Sequence, residues 1–62
     1  MFIELTTIDK EKITLKIEAI DSINQGGGKT SVSVGDSTYY VRESYDEVRN
    51  LIKKEIENNR SW

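Results

Sequence analysis

The chain has 62 residues, nine basic and eleven acidic, with a formal charge of −2, and contains neither cysteine nor histidine. Those counts exclude disulfides and any zinc site of the ordinary Cys/His kind, and leave no imidazole to activate a serine or threonine for attack. Basic and acidic residues are interspersed, so the chain also lacks the basic surplus of a typical nucleic-acid binder.

A chain this short forms one domain and buries only about 60% of the surface it exposes when unfolded. With no disulfide and no zinc, its stability must come from packing or from association. The opening segment, MFIELTTIDKEKI, carries Glu4 and Asp9 and has no sustained apolar run. The expectation is therefore a cytoplasmic protein without a secretory leader or membrane insertion.

In chain order, the first two thirds read as β. Phe2 to Ile8 alternates loosely, with Ile3 and Leu5 as the inward residues, and Asp9-Lys10 supplies a hairpin turn. Lys12 to Glu18 alternates cleanly: Ile13, Leu15 and Ile17 share one face, and Lys12, Thr14, Lys16 and Glu18 the other. The alternation slips at Ala19-Ile20. Ile20 and Ile23 lie three apart, a spacing that suits a bend or a short helical turn better than a straight strand, and a third strand is expected around Ile20–Asn24. A fourth covers Thr30–Val34 with Val32 and Val34 inward. Gly35-Asp36-Ser37 then turns the chain into a fifth, Thr38–Arg42, with Tyr39 and Val41 on one face.

The run QGGGKTS at 25–31 raises the question of a phosphate-binding loop. Such a loop needs a further glycine five positions before Gly28, and Ile23 stands there. It also needs a helix to follow, so that backbone amides and the helix dipole hold the anion, whereas Ser31-Val32-Ser33-Val34 reads as strand. The glycines are expected to form a flexible loop between two antiparallel strands.

The last third changes period. Ser44 and Glu47 fit a capping box, and Asp46 and Glu47 put negative charge at the helix's positive end. Tyr45, Val48, Leu51, Ile52 and Ile56 form an apolar stripe. The helix is expected over Tyr45–Glu57, fraying through Asn58-Asn59, with 58–62 a flexible tail. The fold class is thus α+β: a small antiparallel β-meander of four or five strands with one C-terminal helix packed on one face. Ile13, Leu15 and Ile17 are expected to meet Val48, Ile52 and Ile56.

No catalytic residue, cofactor site or metal site is expected. Asp9, Glu11, Asp21, Asp36 and Glu43 fall mainly at turns and strand ends, without the paired geometry of a glycosidase or the spacing of a calcium loop. The surplus is apolar. Phe2, Tyr40 and Trp62 have no position in the core pattern, and open sheet edges accompany them, which points to a homodimer or to another protein as partner. Phe2, Tyr40, Arg42 and Trp62 are the candidate interaction surface of a non-enzymatic adaptor or regulatory protein. The alternative is a nucleic-acid-binding module using Tyr40, Arg42, Lys12 and Lys16 on the outer sheet face.

The order of these features carries a resemblance. Glu4-Leu5-Thr6, Lys12-Ile13-x-Leu15, Ile20-x-x-Ile23, a Val-x-Val strand, and then Tyr40-Val41-x-Glu43-Ser44-x-x-Glu47-Val48 resemble the small FlbD/SwrD-type bacterial proteins over roughly residues 1–52. The Val-x-Glu-Ser segment and the following Glu-Val match best. That resemblance implies a small non-catalytic protein of the kind linked to flagella and swarming motility, with similar proteins elsewhere, including in phages.

Overall fold

The computed structural model describes residues 1–60. Among them it has five antiparallel strands in two sheets and one C-terminal helix, a small α+β domain. Strands β1 (Phe2–Thr6) and β2 (Lys12–Lys16) form a hairpin in which Ile3 faces Leu15 and Leu5 faces Ile13. Strands β3 (Ile20–Gly26), β4 (Lys29–Val34) and β5 (Ser37–Val41) form a three-stranded meander. A bridge between Thr7 and Val41 joins the two sheets, flanked by bonds from the Ile8 amide to the Tyr40 carbonyl (3.0 Å) and from the Arg42 amide to the Thr6 carbonyl (2.7 Å).

The turns show how local chemistry sets register. Gly27 and Gly28 both have positive φ (60° and 75°), so β3 and β4 meet through a two-residue turn in which Gly26 pairs with Lys29. This is the primed geometry whose twist suits a hairpin. The glycine loop is therefore shorter and tighter than the flexible Asn24–Gly28 connection expected from sequence. Lys29-Thr30 opens a strand rather than a helix, so the amide cradle of a phosphate loop does not form. At the next turn Gly35 alone carries positive φ, with Val34 paired to Ser37.

The expected second strand is cut short. It ends at Lys16, and Ile17–Ala19 form a 3-10 turn, so the helical turn falls before Ile20 rather than at Ile20–Ile23. The three-residue spacing of Ile20 and Ile23 has a different cause. The register shifts between Ile20, opposite Val34, and Ser22, opposite Ser33, leaving Asp21 as an extra residue in a β-bulge. The bulge lets both isoleucines pack against the core from within one strand. Asp21 turns its extra position to use, because its Oδ2 accepts the Gly35 amide at 2.8 Å and so ties the bulge to the neighbouring turn.

The core consists of Ile3, Leu5, Leu15, Val32, Val41 and Val48, with Leu5, Val32 and Val48 completely sealed. Ile13, Ile17, Ile20, Ile23, Val34, Tyr39 and Ile52 pack around it. Helix α1 (Tyr45–Arg60) lies mainly against β1 and β3, one strand from each sheet. Of the expected partners, Leu15 shares the buried core with Val48, Ile13, Ile17 and Ile52 pack around it, and Ile56 is not part of that cluster. The helix leaves β5 beside the end of β1.

The helix also runs three residues beyond the expected Glu57. The Asn59 side-chain amide donates to the Glu55 carbonyl at 2.9 Å and to Glu55 Oε1 at 3.3 Å, a contact one turn back along the helix. Residues 58–60 thus belong to the helix rather than to a tail. Positions 61 and 62, including Trp62, lie outside the described residues.

Candidate interaction surface

Among the described residues, four large apolar side chains stand in the open: Phe2 (59% exposed), Ile8 (50%), Tyr40 (49%) and Leu51 (38%). Strand pleating explains two of them. Ile3 and Leu5 point inward on β1, so Phe2 points outward; Tyr39 and Val41 point inward on β5, so Tyr40 points outward. Ile8 is exposed because β1 ends at Thr6 and Ile8 falls in the turn that follows. Leu51 lies at the margin of the helical stripe.

The predicted surface residues do not share one cleft. Tyr40 lines an open cleft of about 310 Å³ with Ile8, Asp9, Glu11, Lys12 and Ile13. Phe2 lines another, against Leu51, Lys54, Glu55 and Asn58 of the helix. Arg42 belongs to a third, with Thr6, Glu43 and Glu47. Trp62, the fourth member, lies outside the described residues.

The charge around Tyr40 is mixed. Lys29 Nζ sits 6.0 Å from its ring centroid, within reach of a cation–π contact. Lys12 lies in the same cleft, with its ammonium 3.8 Å from Glu4, and Asp9 and Glu11 add negative charge there. Arg42 and Lys16, the other members of the expected basic face, are not among the residues of this cleft.

A further groove, of about 530 Å³, was not anticipated. Ile23 of β3 and Ile52 and Ile56 of the helix form its floor, with Arg49, Lys53 and Glu57 along it. The sequence signal was the stripe itself. Val48 is sealed and Ile52 is partly packed against the core, while Ile56 falls outside the core cluster. Ile56 is half-buried and shares the groove with Ile23 of β3.

The segment Val41 to Val48 is tied into the fold at most of its positions. Val41 is buried and bridged to Thr7, and the Arg42 amide bonds to Thr6. Glu43 takes the Thr6 amide with both carboxylate oxygens. Ser44 Oγ accepts the Glu47 amide at 3.1 Å while Glu47 Oε1 accepts the Ser44 amide at 3.4 Å, the reciprocal capping box. Val48 then seals the core.

No three carboxylates among the described residues come together in a way that could hold a cation, and none of the described helices is long and apolar enough to cross a membrane. Comparison with family models, with curated proteins and with solved structures found no match to this chain. What the fold defines is a small α+β domain that exposes Phe2, Ile8, Tyr40 and Leu51 among its described residues.

Proposed function

We propose that this chain is a non-catalytic protein-interaction domain that self-associates and serves as a small adaptor or regulator. The observation that carries the reading is the exposure of Phe2, Ile8, Tyr40 and Leu51 on a domain of 62 residues, beside an apolar groove lined by Ile23, Ile52 and Ile56. Apolar area of this kind gains free energy when another protein covers it. A cytoplasmic location and kinship with the FlbD/SwrD-type proteins belong to the same proposal, the latter resting on the order of features over roughly residues 1–52, best matched at Val41–Val48.

Nucleic-acid binding through Tyr40, Arg42, Lys12 and Lys16 is the second reading, favoured by the lysine beside the Tyr40 ring. Asp9 and Glu11 in that same cleft oppose a polyanion, so the protein-binding reading is preferred. Light scattering on the eluting peak at low and high salt tests the choice. A mass of twice 7.1 kDa at both salts is expected. A monomer at all concentrations, with salt-sensitive capture of single-stranded nucleic acid lost in Tyr40→Ala, would replace it with the second reading.

A further inference from the structure

The groove along the second half of the helix has a rim whose charges complement their own reversed order. Arg49, Lys53 and Glu57 follow one another at four-residue intervals, so they form a single row beside the row of Ile52 and Ile56. The row reads positive, positive, negative toward the C-terminus. Laid against an identical row running the opposite way, its Arg49 end meets the Glu57 end of the second copy, and the reverse contact repeats across the two-fold axis. Antiparallel packing centred between Ile52 and Ile56 sets each of these isoleucines opposite the other's counterpart. A closed two-fold dimer requires such a self-complementary patch. A row of one sign would repel its twin.

We infer that the occupant of the Ile23–Ile52–Ile56 groove is a second copy of this chain, docked helix against helix in antiparallel orientation with Arg49 beside the second copy's Glu57. This deepens the self-association reading above and rests on it, by assigning the interface to the helix rather than to Phe2 or Tyr40. The arrangement brings together one unfavourable pair: Lys53, at the middle of the row, faces its own twin near the axis. Neutralising it should therefore tighten the dimer, an outcome that no merely structural role for Lys53 would produce.

Sedimentation equilibrium on the full chain tests the assignment. Ile56 lies outside the core cluster, so Ile56→Lys should keep the fold, checked by circular dichroism, and weaken the dimer about tenfold or more. Arg49→Glu and Glu57→Arg should each weaken it alone, because each places like charges opposite one another. Mixed in equal amounts, these two variants should form a heterodimer, since both contacts then pair opposite charges. Lys53→Gln should dimerise more tightly than the parent chain. If the parent dimerises but all these variants match it, the groove assignment is overturned while the interaction reading stands. If the parent stays monomeric at hundreds of micromolar (roughly the weak end of specific association), the self-association reading falls as well. Should Ile56→Lys fail to fold, the charge-reversed mixture decides: no heterodimer means no antiparallel helix interface.

Discussion

Both carboxylate oxygens of Glu43 accept a single backbone amide, that of Thr6, at 2.9 and 3.0 Å across 37 positions of sequence. The Thr6 carbonyl meanwhile accepts the Arg42 amide. Thr6, the last residue of β1, is thus fastened on one side by the two residues that lead out of β5 into the helix. The contact is partly buried, where an amide without a partner is costly. Glu43→Ala should destabilise the fold by about 1–3 kcal/mol, read from the urea midpoint, whereas Glu43→Gln keeps an acceptor and should lose less. An unchanged midpoint in the alanine variant would mean that solvent satisfies the Thr6 amide.

Lys10 is the one non-glycine position with positive φ among the described residues, at 70°. A β-carbon in that region costs about 1–2 kcal/mol. Lys10→Gly should therefore stabilise the domain by about 1 kcal/mol less the entropy that glycine restores to the unfolded chain, and Lys10→Val should destabilise it. Gly35 makes the converse test. A β-carbon there would meet no neighbour within 4 Å, so the change in thermal midpoint of Gly35→Ala reports backbone strain at φ 59° less the entropy that alanine removes from the unfolded chain.

Glu18 carries the pH signal. Its carboxyl is held below the usual glutamate range, first by a backbone hydrogen bond at Glu18 itself and then by the α-ammonium of Met1, 3.2 Å from each oxygen. A folded-state value lowered below the unfolded one gives stability that is complete above the unfolded value and lost as pH falls through the folded one. The side chain is half exposed at the surface, so the contribution is small and salt-screened. Carbon-detected NMR titration should show the Glu18 carboxyl titrating at lower pH than glutamate in a model peptide. Acetylation of the Met1 amine should raise it part of the way back, leaving the share due to the backbone bond.

Stability and association should separate by residue. Leu5 is completely sealed, and Leu5→Ala should cost about 2–5 kcal/mol through lost transfer free energy and the cavity left behind. Phe2→Ser and Tyr40→Ser remove apolar area that already faces solvent and should leave the denaturation midpoint within about 0.5 kcal/mol of the parent. A large loss from Phe2→Ser would show that its packing against Leu51 holds the helix to β1 instead of serving a partner.

Local rules made much of this molecule legible. The inward positions Ile3, Leu5, Leu15, Val32 and Val41 follow from a period of two, and the helix start at Tyr45 follows from Ser44 and Glu47 capping each other's amides. The glycine run could be read as a turn because a strand followed it. The candidate surface was only partly legible. Exposure of Phe2 and Tyr40 follows from their alternation with inward neighbours, but whether they meet in space does not, and they line separate clefts. Ile8 escapes the sequence reading because its alternation runs on past Thr6, where β1 ends.

By itself the sequence determined the fold class, the alternating faces and the helix cap, because each depends on residues within a few positions of one another. Tertiary structure alone decided the bulge at Asp21, the bridge from Thr7 to Val41, the hold of Glu43 on Thr6, and the seating of the helix on β1 and β3. Those depend on which strands become neighbours, and pairing between distant segments is settled only when the whole chain closes around one core. The same closure sets how far the sheet extends beneath the helix. It therefore decides that Val48 is sealed while Ile56 lies beyond the core cluster.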